Sequence, residues 1–584
     1  MASPTFFCAN WSPQSIDCAN QGKRVCTACR LVAYCGPKCQ NAHLSTHKKD
    51  CNSPLLSEAW KPGWVRQNRK PVFSGKIFGV EKFLWGNMPA IDILRLEANE
   101  GKDYSGDLRL LFAGEYPKYP KSFRLCKPDI AIPIASGDLR NVIKTVLGLP
   151  EAYSRPLSIT INDVDFDVAA RNTIMMMIAL TVEPVEKAID CIIHVWYSTF
   201  VRQSDIEILQ SYVRPMIEEM CEKIKSKRLG AYSKTWKLDR GTLRVGMEKS
   251  SWDRFLSLLS KPLKVSVDLA RTIRKKTMLA ASRVDYRERT MCALSPLRRA
   301  AFAKFQEDGL LVPFGYPRHE FKKPNPTFFQ NADRWPMQDS AEPLQGWPAE
   351  EVEDTSSGLA SADIYGKLFY YLRSQLKAFL GRLSGLEASF TVHQFNVTEL
   401  PKYIGSEKFC RIEVSNIMDE KWVKVGGTLG PMMPLLQTPN ENPHATLLGL
   451  FMMAVDDTRT AEERSQPPIG TTVELMKLYV PALAEGEITS LYDPSLIKVE
   501  LSRGLVETHD EIFDHYQRKW EFRREERRSG AMMKDKNTII DKWPYKLKLN
   551  PNNPAGRAEF ARRIGAGLTG KEIYAEWKRV PPHK

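Results

Sequence analysis

A chain of 584 residues with a net charge of +15, 43% apolar and 26% charged, has the make-up of a water-soluble globular protein with room for several domains. Its longest apolar runs, Ile174–Val182 and Ile189–Trp196, are too short to cross a bilayer, and Met1–Asn10 lacks the basic start and apolar stretch of a secretory leader. The expectation is an intracellular protein, cytoplasmic and/or nuclear, without a membrane partner and with reduced thiols available to metal.

The chain opens on its most specific chemistry. Seven of its twelve cysteines, Cys8, Cys18, Cys26, Cys29, Cys35, Cys39 and Cys51, lie in the first 51 residues beside His43 and His47. The spacings Cys-x2-Cys, Cys-x3-Cys and His-x3-Cys each set two ligands on one tight turn or helix face. Seven thiolates and one imidazole fill two closed tetrahedral zinc sites, with His43 left over as a packed or solvent-facing residue. A segment this short and poor in apolar residues cannot fold on a core of its own, so the metal supplies its folding energy.

The same residues resemble a MYND-type zinc finger, most closely through Tyr34-Cys35, Cys39-Gln40 and His47-Lys48-Lys49-Asp50-Cys51. The cross-braced arrangement of that family implies one zinc on Cys8, Cys18, Cys35 and Cys39, and a second on Cys26, Cys29, His47 and Cys51. It also implies protein partners, through a groove that favours proline-rich peptides. Ser15 stands where the family carries its first cysteine, so Cys8 has to reach its site through a longer loop. Leu44 stands where the family usually carries tryptophan.

After the finger (1–52), residues 53–78 carry prolines, tryptophans and basic residues without periodicity and read as a linker. Residues 79–200 alternate strand-like and helix-like runs: a strand at Asp107–Ala113, a turn at Ala135–Asp138, a helix at Leu139–Leu147, a strand at Leu157–Ile161 and a helix at Val168–Leu180. That alternation is the βαβ pattern of a parallel sheet. Gly114–Ile134, rich in proline, interrupts it where a loop of a few residues is usual, and reads as an aberrant insertion, either a retained intron, with ends that fit translated splice signals, or a genuine surface excursion. Residues 201–388 read as a helical insertion and loop, with amphipathic candidates at Asp205–Leu229, Trp252–Met278 and Ala362–Leu383. Strand character returns in 389–505, at Ser389–Phe395, Asn396–Leu400 and Phe409–Val414. Residues 506–584 read as a helix, Asp510–Ser529, leading into a basic, weakly structured tail: Gln517–Lys584 holds 18 basic against 8 acidic residues.

An apolar strand, a glycine turn and a helix start can cradle an anion, and an acid closing the next strand can hold a ribose. Gly137 and Asp138 stand at such a turn and Asp163 at such a strand end, which makes them the candidate cofactor-binding residues. The order of strands resembles a class I S-adenosylmethionine-dependent methyltransferase sheet with a large helical insertion after its second strand. The expected fold class is therefore α/β: a small cross-braced zinc finger followed by a Rossmann-like parallel sheet. One glycine stands where such sheets carry two or three, and Asn396 replaces an acid, so a catalytically silent sheet is preferred over one that binds S-adenosylmethionine. The wording of Phe83–Asp92, Ser136–Asn141, Ile161–Asp167, Ala169–Asn172 and Ile193–Tyr197 resembles an uncharacterised family, in fungi often joined to a MYND finger. That family also supplies the N-terminal domain of dynein axonemal assembly factor three. It carries no established enzymatic residues.

The function expected is zinc-dependent protein interaction, as a scaffold or assembly factor. Methyl transfer is the alternative. Nucleic-acid binding is the weakest reading, since cross-braced fingers present no groove-reading helix and the basic residues lie far from the finger. Gly-x-Ser-x-Gly, Gly-x4-Gly-Lys-Ser/Thr and His-Glu-x2-His are all missing, so those hydrolase chemistries have no motif support.

Overall fold

The computed structural model describes the chain apart from residues 1–5, 12–17, 74–77, 81, 115–136, 261–264, 331–332, 466–470, 485–487, 489, 491 and 581–584. The proposed insertion therefore lies outside the described residues, apart from Gly114, which closes a strand. Among the described residues one nine-stranded sheet dominates. Its strands in chain order are β1 (Leu108–Gly114), β2 (Leu157–Asp163), β3 (Ala231–Leu238), β4 (Gly241–Glu248), β5 (Ala388–His393), β6 (Arg411–Glu413), β7 (Thr446–Phe451), β8 (Ala531–Met533) and β9 (Ile573–Arg579). They lie in the order β8-β9-β7-β6-β1-β2-β5-β4-β3.

From β7 to β4 every neighbouring pair is parallel, and β9, β8 and β3 are antiparallel to their neighbours. Parallel strands need both faces covered, which is why β1 and β2 are nearly continuous apolar runs. Alternate β1 residues serve two cores: Leu110 and Phe112 face one, Leu111 and Ala113 the other. The first core takes the helices Phe166–Thr181, Val185–Tyr197 and Ile364–Leu383; the second takes Lys424–Met432 and Asp510–Lys519. With the β3–β4 hairpin set aside, the remaining seven strands read 3-2-1-4-5-7-6, the last-formed one reversed. This is the methyltransferase-like order that the sequence resemblance implied.

Three expectations need correction. The insertion 201–388 is not only helical: it contributes β3 and β4, which extend the sheet beyond β5. The segment 506–584 is not a weakly structured tail, because it supplies β8 and β9 and seals the β7 edge through five register pairs, Leu447–Trp577 to Phe451–Ile573. Glu576, fully buried in β9, accepts hydrogen bonds from the Ile539 and Thr538 amides at 2.7 and 2.9 Å and pairs with Lys534 at 3.0 Å, so one strand pins the loop before it. Within the segment, Arg518, Lys519, Arg523, Arg524, Arg527 and Arg528 are exposed. The third correction concerns the linker, whose described residues 53–73 hold two short helical turns, Pro54–Leu56 and Gly63–Arg66, and are packed. Trp64 is buried, its indole donates to the Tyr492 carbonyl at 3.1 Å, and Arg69 makes a two-pronged pair with Asp285.

Helix boundaries differ from the sequence pattern where the backbone breaks. Asp510–Ser529 is two helices, Asp510–Lys519 and Phe522–Ser529, separated at Glu521 with φ of 50°. Asn396–Leu400 is a turn held by Asn396, not a strand. The helix Phe166–Thr181 starts two residues early because Asp165 caps it, accepting from the Asp167 and Val168 amides at 2.8 and 3.2 Å. Lys82 lies 2.7 Å from the same carboxylate. Asp165→Ala should lower unfolding free energy by about 1–2 kcal/mol, read from the midpoint of urea denaturation at constant slope.

Candidate metal centre

The helix Pro37–Cys51 organises the finger. Proline at its first position suits a helix start, and Cys39, His43, His47 and Cys51 recur every fourth residue, on one stripe. Two short paired strands, Arg24–Val25 and Ala33–Tyr34, hold the Cys26–Cys29 turn against it. That turn closes through the Arg30 amide to the Cys26 carbonyl at 2.8 Å, with Arg30 in the left-handed region (φ 52°). The Leu31 amide points to Cys29 Sγ at 3.4 Å, the kind of N–H contact that steadies a thiolate.

Two groups of four ligand atoms result, each within 4.8 Å: Cys8, Cys18, Cys35 and Cys39 in one, and Cys26, Cys29, His47 and Cys51 in the other. Zinc–sulfur bonds of about 2.3 Å at tetrahedral angles set ligand sulfurs roughly 3.8 Å apart. Cys18–Cys35, Cys35–Cys39 and Cys18–Cys39 stand 3.7, 3.4 and 3.9 Å apart, and Cys26–Cys51 stands at 3.6 Å. Such separations are far too long for a disulfide, and the described cysteines are unbonded. His47 turns Nε2 to within 3.4 Å of Cys29 Sγ. The donor set fits zinc, and four protein ligands per site leave no open position, which marks both sites as structural.

Without a cation these thiols resist sharing a site. The Cys39 thiol pushes Cys35 up to about 12, and burial raises Cys29 further. A divalent ion removes that penalty by holding all of them as thiolates. Burial lowers His47, so its imidazole stays neutral and ready to ligate. His43 is not among either group. Its Nδ1 lies 3.0 Å from the Tyr34 hydroxyl, its ring stacks on His47, and burial lowers it to about 4. It supports the ligand helix from behind.

The finger is docked on the body, not hung from it. Leu31 and Val32 are buried, in one core with the residues of the first sheet face. Phe6 meets Tyr370 edge-to-face at 5.0 Å, Trp11 lies between His43 and His319, and the Ala362 amide donates to the Arg30 carbonyl at 3.2 Å. The outward face of the ligand helix stays open, with Leu44 52% exposed.

The candidate cofactor residues converge at the carboxyl ends of β1 and β2. Gly137 has no room for a Cβ, which would overlap Val168 and the Asp163 carboxylate, and its carbonyl accepts from Asn172. Asp138 accepts from the Gly86 amide at 2.7 Å and pairs with Arg140 at 2.6 Å, both side chains buried. Arg140 also donates to the Met88 carbonyl, and Asp163 accepts from the Asp165 amide at 2.8 Å. The polar groups expected to meet a cofactor are thus engaged within the chain. The sequence reading singles out neither Arg140 nor Glu413, the last residue of β6. Burial raises Glu413 to about 7, and its Oε2 and the Asn416 amide nitrogen have no hydrogen-bond partner. Two charged residues, Arg411 and Glu413, inside the strand-like run Phe409–Val414 are the available signal.

Two family models match the chain: MYND finger over residues 16–51, and a domain of unknown function, DUF4470, over residues 84–201. Cys8 lies outside the first match, and the geometry supplies it as the fourth ligand. The second match spans β1, β2 and the helices Phe166–Thr181 and Val185–Tyr197. No curated protein and no solved structure matches the chain. The N-terminal segment is a MYND-type finger whose two cysteine/histidine clusters fit zinc, carried on a mixed α/β body built on a mostly parallel nine-stranded sheet.

Proposed function

We propose that this chain is an intracellular scaffold or assembly protein whose zinc finger recruits protein partners while the α/β body acts as a rigid platform. The observation that carries the reading is the pair of closed four-ligand sites in a MYND-type segment docked on the body, which gives stability and shape without an open metal position. Proline-rich segments are the partner chemistry that the family resemblance suggests. Leu44 and Gln40, on the outward side of the ligand helix, are where such a segment would lie. Affinity capture from lysate with the native chain and with Cys26→Ser/Cys29→Ser tests this. The variant should lose a subset of partners while keeping those bound by the body; identical partner lists would sink it.

A second reading, S-adenosylmethionine-dependent methyl transfer, is favoured by the strand order and by the contact of Gly137 with Asp163 at the carboxyl edge of the sheet. Calorimetric titration of the folded chain decides between the two. Saturable heat below millimolar S-adenosylmethionine would support the enzyme, and its lack at that concentration leaves the scaffold.

A further inference from the structure

We infer a second docking surface, remote from the finger, that takes an acidic peptide anchored by an aromatic side chain. A cleft of about 580 Å³ opens between the helix Lys424–Met432 and the broken helix pair Asp510–Lys519 and Phe522–Ser529. That volume lies within the range of pockets that hold ligands. Its floor is bare backbone: Gly426, Gly427 and Gly430 fall within five positions of one helix. Each glycine there costs about 1 kcal/mol relative to alanine. Packing accounts for Gly426, whose Cβ would overlap the Glu525 carboxylate, and crowds Gly427, whose Cβ would stand 3.1 Å from Val423; a Cβ at Gly430 would meet nothing within 4 Å.

The wall is Trp520, half-buried, with its indole N–H shielded from solvent and without a partner. Two lysines flank the ring, Lys424 at 5.8 Å and Lys519 at 5.3 Å from its centre. Non-glycine residues in left-handed backbone bound the cleft on both sides, Lys424 (φ 68°) and Glu521 (φ 50°). Strained conformations of this kind gather at binding sites.

The rim identifies the occupant. From Arg518 to Arg528 there are six basic residues against three acidic ones, and Arg528, which lines the cleft, is 66% exposed. The two acids lining the cleft are already neutralised, Glu420 by Lys424 and Glu525 by Arg528. Net positive charge therefore surrounds an aromatic wall with a free N–H and a floor that admits close approach. A phenylalanine or tyrosine would stack on Trp520 over the glycines, and flanking carboxylates would meet Arg528 and the lysines beside the ring, Lys424 and Lys519.

The test is fluorescence anisotropy of the full chain with a labelled peptide of aspartates and glutamates around a central phenylalanine. A matched peptide with alanine at the centre and a single-stranded oligothymidylate serve as competitors. Gly430→Leu fills the floor without a clash and improves helix propensity, so it should melt no lower than the native chain; Lys519→Glu/Arg528→Glu reverses the rim. Expected are saturable, salt-weakened binding of the phenylalanine peptide and at least about a tenfold loss for the alanine peptide and for each variant. Equal binding of both peptides, or full binding by Gly430→Leu, would leave only a basic rim and overturn the inference. No binding of the phenylalanine peptide, or tighter binding of the oligonucleotide, would overturn it as well.

Discussion

Stripping zinc from the native chain will unfold Phe6–Cys51 and loosen the part of the body it covers. Structural zinc in isolated fingers contributes an apparent binding free energy of about 10–16 kcal/mol per site at neutral pH, far more than so small a segment gains by burying its few apolar side chains. In the chelated finger Cys35, pushed up to about 12 by Cys39, and Cys29, raised by burial, are protonated, and no ion bridges the four ligand groups of either site. The thiols will take up protons and the sites will open. Phe6, Trp11, Leu31 and Val32 then leave Tyr370 and His319, so the loss reaches the body. Native elemental analysis should return two zinc ions per chain. After chelation, amide exchange should lose protection through the finger and at the Arg30–Ala362 contact, while β1 and β2 stay protected. Acidification should act in the same direction, because ligation requires deprotonated thiols and affinity falls as they protonate. A finger that keeps its protection after both ions are removed would refute the metal-folding account.

What could be read in the sequence followed from how local each signal is. The zinc ligands are legible because thiol and imidazole spacing is itself the chemistry. Cys8, displaced from its usual place, is assigned only through the cross-braced pattern that the MYND resemblance implies, and the fold brings it beside Cys18, Cys35 and Cys39. β1 and β2 are legible because a parallel strand covered on both faces must be apolar at nearly every position, as in Leu108–Gly114. The β3–β4 hairpin is not. Ala231–Leu238 is an edge strand with one exposed lysine, Lys237, and one buried tryptophan, and it lies between helices whose periodicity dominates the window. β9 was hidden for another reason. Glu576 and the terminal Lys578-Arg579 make Ile573–Arg579 look charged, yet the carboxylate is consumed by two amides and a lysine that only the tertiary fold brings together. The same holds for Asp138. A cap, a cofactor ligand and an ion-pair partner look alike in sequence, and Arg140 decides among them only in space.

Truncating Trp577 will test whether the C-terminal segment belongs to the fold. Trp577→Ala should lower unfolding free energy by about 3–5 kcal/mol, a loss large enough to leave much of the chain unfolded at physiological temperature. The side chain is fully buried in the second core, packs against Phe451 with ring centres 6.2 Å apart, and donates its indole N–H to Glu526 at 3.1 Å. Removing it therefore opens a cavity and strips a partner from a carboxylate that is itself buried, which adds the cost of an unsatisfied group. Glu526 also accepts from the Met533 amide at 3.2 Å, so the damage passes from β9 to β8. A basic tail in solvent would predict the reverse, a change within about 0.5 kcal/mol, as for surface substitutions elsewhere. Chemical denaturation followed by circular dichroism separates the two outcomes directly. Trp577→Phe keeps most of the volume but lacks the N–H, so the difference between the two variants measures packing apart from the hydrogen bond. If both variants unfold at the native midpoint, the strand pairing of β9 with β7 cannot be what closes this sheet.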